Sequence, residues 1–112
     1  MSELIHLNDH DYQDFLRTND FVIADYYADW CPPCQMLGPI FEQVASEFNH
    51  EKQKVAFVKI NIDEASAATD EAGVMSVPTL IIYKKGEEVD RHIGGASEED
   101  VLKLINSNLD QS

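Results

Sequence analysis

The order of apolar runs along the chain predicts an α/β fold, a central mixed sheet of about five strands with about four helices on its two faces. Three observations carry that expectation. A nearly unbroken apolar run from Phe21 to Ala28 is followed by a helix-patterned stretch, Gln35 to Phe48, and then by a β-branched run, Val55 to Ile62. Strand, helix and strand with a crossover of this length make a βαβ unit, whose strands should be parallel. A further run, Thr79 to Tyr83, passes through Lys84-Lys85-Gly86-Glu87 into Glu88 to Ile93, which reads as a hairpin and sets an antiparallel pair at one side of the sheet. Both cysteines of the chain, Cys31 and Cys34, lie at the first strand-to-helix junction.

The remaining elements follow in order. Leu4 to Leu7 is short and apolar and predicts an edge strand. Asn8 offers an N-cap side chain for a helix whose first turn would carry Asp9 and Asp11, with Tyr12, Phe15 and Leu16 as one apolar stripe and Arg17 near its end. Thr18 to Asp20 is a loop. The run after it lacks polar alternation, the pattern of a strand buried on both faces. In the next helix Met36, Leu37, Ile40, Phe41, Val44, Ala45 and Phe48 recur at spacings of three and four. Pro39 should kink it by removing a backbone hydrogen bond. Asn49 to Lys54 is a polar connection. Glu64 to Ala72 predicts a short helix ended by Gly73, and Ser97-Glu98-Glu99-Asp100 has the form of a helix start, with Val101, Leu102, Ile105 and Leu109 as its stripe.

With 112 residues the chain reads as one domain, residues 1–112. It should bury roughly 65% of its unfolded surface and so needs neither structural metal nor disulfide. The formal charge of −13 opposes binding to nucleic acid or to anionic membranes. No run approaches the ~20 apolar residues of a membrane span, and the first residues show no export or transit signal. The expected location is the cytosol, where a CxxC pair is catalytic or metal-binding more often than structural.

Two thiols three positions apart close a loop too small to stabilise a fold, so their bond can form and break without unfolding the protein. Cys31, at the end of a buried strand, would occupy an N-cap position facing unpartnered backbone N–H groups, which favour a thiolate. Pro32 and Pro33 suit the first helical positions, where a missing N–H costs nothing. The N–H of Cys34 is then free to face the sulfur of Cys31. Cys34, one turn into the helix, should be the more buried thiol. That asymmetry makes Cys31 the attacking thiolate and Cys34 the resolving thiol. The alternatives are a pair of small core residues, an inert disulfide, or half a zinc site. The last lacks further ligands, because His6, His10, His50 and His92 are scattered.

Trp30-Cys31-Pro32-Pro33-Cys34 resembles the active site of the thioredoxin family. The likeness extends to Asp25, six residues before Cys31, to Lys59 after the crossover, to Val77-Pro78-Thr79, and to Gly86 and Gly94, and it covers Leu4 to Leu109. It implies a thioredoxin fold and a protein disulfide reductase supporting cellular redox balance. Asp25 would be a buried acid serving Cys34 as general base through a water, and Lys59 its charge partner. Val77-Pro78 would be a cis bond whose backbone pairs with substrate, and Trp30, Val77, Pro78 and Gly94 a flat apolar patch around Cys31. No cofactor is implied beyond the redox-active Cys31–Cys34 disulfide, with NADPH acting only indirectly through a thioredoxin reductase. The other partners would be disulfide-bearing clients, and the protein a monomer. The rival reading is a non-redox binding module using the patch around Trp30 and Pro78.

Three positions depart from the family's habit. Pro32 replaces the usual glycine, Gln35 a common lysine or arginine, and Tyr27 a frequent tryptophan. Pro32 stiffens the dithiol loop, and differential strain of 1.4 kcal/mol would move the potential by about 30 mV. Gln35 removes a positive charge near Cys31.

Overall fold

The structure, a computed structural model, describes residues 4–50 and 53–109. Nine elements follow one another: β1 (Leu4–His6), α1 (Tyr12–Thr18), β2 (Val22–Tyr27), α2 (Pro32–Glu47), β3 (Ala56–Asn61), α3 (Ser66–Ala72), β4 (Thr79–Lys84), β5 (Glu87–Ile93) and α4 (Glu98–Asn108). The strands form one sheet in the order β1-β3-β2-β4-β5. β1, β3 and β2 are mutually parallel, while β4 and β5 run antiparallel. The βαβ crossover and the hairpin therefore stand where the apolar pattern places them.

The alternation of side chains along each strand divides the core into two layers. Phe21, Ile23, Phe57, Leu80 and Ile82 pack against Leu37 and Phe41 of α2 and Val101 and Ile105 of α4. Val22, Ala24, Tyr26, Val58, Ile60, Ile81 and Tyr83 face Tyr12 and Leu16 of α1 and Ala68 of α3. In that second layer the buried hydroxyls of Tyr26 and Tyr83 satisfy each other at 2.7 Å, which removes the cost of two unpaired polar groups in an apolar layer. In the hairpin, Lys85 and Gly86 both take left-handed backbone angles, φ 52° and 88°, as a two-residue turn between twisted strands requires. A Cβ at position 86 would also lie 3.4 Å from the Arg17 backbone.

Two local expectations are corrected. Asn8 does not cap α1: its Oδ1 accepts the N–H groups of His10 and Asp11, closing a turn ahead of the helix, and the N-cap is Asp11, whose carboxylate accepts the Asn8 N–H and makes no cap bond to the helix. Asp9 does not serve α1 either. Its carboxylate accepts the N–H groups of Ala67 and Ala68, at 3.2 and 2.9 Å, across the fold. That placement supplies the cap which Ala65, the N-cap residue of α3, cannot provide. α2 begins at Pro32, with the two prolines in the first helical positions as expected, and continues through the exposed Pro39. Of the polar connection 49–54, residues 51 and 52 lie outside the described residues. At the start of α4, Ser97 and Asp100 form a reciprocal capping box.

Because a side-chain cap contributes about 1 kcal/mol, Asp9→Ala should lower unfolding stability by that amount, read from the urea midpoint, although residue 9 lies outside α3.

Candidate active site

β2 ends at Tyr27, and a short loop brings Cys31 to the N-terminus of α2. Cys31 has extended backbone angles, φ −99° and ψ 110°, and its sulfur accepts the N–H of Cys34 at 3.3 Å. Pro32 and Pro33 fill the first two helical positions. Neither carries an N–H, so the first-turn donor that reaches the sulfur is that of Cys34. The two cysteines are joined as a disulfide, their Cα atoms 5.2 Å apart. The expected difference in burial is absent: Cys31 is 3% exposed and Cys34 5%. Cys31 is covered from the far side of the site, where half-buried Val77 packs on the pair and its carbonyl oxygen lies 3.6 Å from the Cys31 sulfur. What separates the two sulfurs is their polar surroundings.

The Val77–Pro78 bond is cis. Two bonds hold this loop in place: the Thr79 hydroxyl donates to the Ser76 carbonyl at 2.7 Å, and the Gly94 N–H donates to the Pro78 carbonyl at 2.8 Å. Pro78 itself is buried, so it underlies the surface and Val77 reaches it. Gly94 has φ 99°, and a Cβ there would enter open space. Trp30 is 66% exposed, its indole N–H held by Asp63 at 2.9 Å. Gln35 uses its amide to donate to the Asp29 carbonyl at 2.9 Å, fastening the loop before Cys31 to α2.

Asp25 follows Phe21 and Ile23 on the face of β2 that packs under α2, the helix whose first turn holds Cys34. It is 1% exposed, and neither carboxylate oxygen has a hydrogen-bond partner. Burial pushes its pKa up from 3.8 to about 6, with the charge of Lys59 pulling the other way. Lys59 is the register partner of Asp25 on β3. Its ammonium does not bond the carboxylate; it stands over the Tyr27 ring, 4.3 Å from the centroid, and a Cβ on Gly38 would be 3.7 Å from it. The fold thus gathers Asp25, Lys59, Cys31, Cys34 and Val77 from four separate segments around one strand-to-helix junction.

Several contributors escape the sequence pattern. Asn61 and Asp63 carry no motif, yet Asn61 reaches Asp29 at 3.4 Å, and Asp63 orients Trp30. Met75 and Ile93, 97% and 63% exposed, flank Val77 and Gly94 in the chain. Only their exposure marks them, and an apolar residue in a short segment does not announce that. Among the described residues no group of three or more His, Cys, Asp or Glu is placed to hold a metal ion, and no helix is long and apolar enough to cross a membrane.

A thioredoxin family model matches residues 3–107. The chain belongs to the thioredoxin family. A Haemophilus influenzae thioredoxin is 34% identical over 110 residues, covering 97% of this chain and 100% of the relative. A Chlamydia pneumoniae thioredoxin is 43% identical over 93 residues, or 83% of this chain and 87% of its own. Among solved structures, a mutant thioredoxin from Halobacterium salinarum superposes with a TM-score of 0.85 at 36% identity, covering 100% of this chain and 97% of the other. Plasmodium falciparum thioredoxin gives 0.84 at 27% identity, with coverage of 94% and 99%. The fold is the thioredoxin fold, and the chain is a thiol–disulfide oxidoreductase whose redox group is its own cysteine pair.

The raised pKa of Asp25 has a consequence for stability. The folded protein holds this proton more tightly than the unfolded chain, so stability falls as pH rises from 3.8 to about 6, and the full penalty persists above that window. The penalty is about 3 kcal/mol. Asp25→Asn should therefore be more stable than the parent at pH 7 by up to about 3 kcal/mol and equal to it near pH 4, in denaturation measured at both pH values.

Proposed function

We propose that this chain is a cytosolic protein disulfide reductase in which Cys31 attacks and Cys34 resolves. The observation that supports this order is the hydrogen bond from the Cys34 N–H to the Cys31 sulfur at the start of α2. A sulfur in that position has a donor and the positive end of a helix beside it, and its thiolate is favoured accordingly.

In the reduced protein the Cys31 thiolate attacks one sulfur of a client disulfide. A Cys31–client disulfide forms, the client S–S bond breaks, and the first client thiolate leaves. Cys34 then gives its proton to the Asp25 carboxylate through an intervening water, and its thiolate attacks the Cys31 sulfur. The Cys31–Cys34 disulfide closes, and the second client thiolate departs. Two electrons have passed to the client. A carboxylate with a pKa near 6 is suited to that exchange at neutral pH, because it is ionised yet holds a proton well enough to take one. Lys59 tempers the field around it.

Trp30, Val77 and Gly94 receive the client, with Pro78 setting the backbone of Val77 beside Cys31. The backbone of Val77 would pair with an extended client segment as an added strand does, and the open space above Gly94 leaves it room. Pro32 and Pro33 hold the pair at the helix start. An NADPH-dependent thioredoxin reductase would return the oxidised pair to the dithiol, and the protein would act as a monomeric single domain. Neither nucleic acid nor membrane is a partner in this reading, in keeping with the charge of −13.

Cys34→Ser should accumulate covalent client complexes through Cys31, visible on non-reducing gels and located by peptide mass. Trapping through position 34 in Cys31→Ser alone would reverse the roles. In single-turnover kinetics Asp25→Asn should slow resolution on the order of a hundredfold while leaving the first attack unchanged. A Cys31→Ser/Cys34→Ser variant that kept full cellular function would favour non-covalent docking.

A further inference from the structure

Lys59 and Asp25 are directly opposed across β2 and β3, on the face that lies under α2. Opposite charges so placed in a poorly solvated layer would ordinarily close on each other. They have not. Both oxygens of Asp25 are unpartnered, and the Lys59 ammonium lies 4.3 Å above the ring of Tyr27, two residues further along β2 on the same face as Asp25. That separation is within the range of a cation–π attraction, which grows as the cation is desolvated. The ring is fixed in turn. Tyr27 is half-buried, packs against the buried cysteine pair and is the register partner of Asn61. Asn61 is itself held, accepting the N–H groups of Asp63 and Glu64.

We propose that Tyr27 is a positioning residue for the resolving step, holding the Lys59 ammonium off the Asp25 carboxylate so that the carboxylate stays unpartnered and open to the Cys34 proton. The inference rests on the proposed role of Asp25 as proton acceptor. A direct Lys59–Asp25 pair would occupy the carboxylate oxygens with N–H donors and make them poor acceptors. The aromatic face gives the ammonium a place to rest that leaves its charge in the layer, where it tempers the cost of the buried acid without capping it. On the neighbouring elements, α2 carries Cys34 in its first turn and apolar Leu37 beyond it, β4 opposes Asp25 with the uncharged Leu80, and the carboxylates of Asp29 and Glu64 act on Tyr27.

The test is the titration of the Asp25 carboxyl, followed by carbon NMR in the full chain with its disulfide formed. Tyr27→Leu removes the aromatic face and should let Lys59 fall onto Asp25, lowering its midpoint by about one pH unit or more. Tyr27→Phe keeps the face and should leave the midpoint unchanged. In a Lys59→Met background, Tyr27→Leu should have no such effect. A midpoint unmoved or raised in Tyr27→Leu overturns the proposal. So does an equal fall in the Lys59→Met background, which would mean that water entry does the work. If Tyr27→Leu does not fold, Tyr27→Met carries the same test, since it fills more of the ring's volume without its π face. The titration reads the positioning whether or not Asp25 is the base. The slowing of resolution in Asp25→Asn reads the base on its own.

Discussion

β2 and β3 run parallel in a register that sets Asp25 opposite Lys59 and Tyr27 opposite Asn61. That one alignment decides the site. Side chains along a strand alternate between faces, so a slip of one residue would turn Asp25 toward α1 and α3 and send the apolar residues of each layer to the wrong side. The two packed layers, with ten core residues of β2, β3 and β4 fully buried at 0% exposure, resist such a slip far more strongly than the acid favours it. The hydrophobic pattern thus holds in place a group that the same core would otherwise reject. A lone carboxylate inside a protein is a standing cost, and the fold carries it in the centre of its sheet.

The two cysteines lie in different electrostatic settings although they are equally buried. Cys31 sits outside the first turn of α2, beside a donor and a carbonyl. Cys34 sits inside that turn, with the apolar face of the helix behind it and Asp25 in the layer beneath. The prolines sharpen the difference. They remove two N–H groups from the helix start and leave the Cys34 N–H as the donor in contact with the Cys31 sulfur, so one cysteine's backbone sets the polar surroundings of the other. Loop positions 29 and 30 are tied to the end of β3 and the loop after it through Asn61 and Asp63, and the pair is consequently framed on two sides by side chains absent from its own motif.

Much of this was legible in the chain. The βαβ unit, the hairpin and the capping box at Ser97 follow from periodicity and turn chemistry, because each is a local pattern with a local cause. The cysteine geometry followed from the same kind of reasoning, since Cys31 through Cys34 is a single helix start. What was not legible depends on contacts between distant segments. Asp9 looks like a first-turn acid for α1 and serves α3 instead, 58 residues away. Equal burial of the two thiols comes from Val77, which no pattern around residue 31 contains. The resting place of Lys59 on Tyr27 was hidden for the same reason: strand register is needed to know that the two side chains share a face. The family resemblance supplied the cis bond before Pro78, which residue statistics alone would have assigned as trans.

The loop over Cys31 belongs to the chain just before β4, while the sulfur it covers belongs to the first half. In kinetic terms the site has a high contact order: closing it requires β4 to pair with β2 across more than fifty residues, a loop closure that local helices cannot bring about. A chain still being synthesised presents Cys31 and Cys34 well before the residues that cover and orient them exist. The cysteine pair therefore acquires its environment late in folding, and any opening that detaches β4 from β2 dismantles the site together with the sheet.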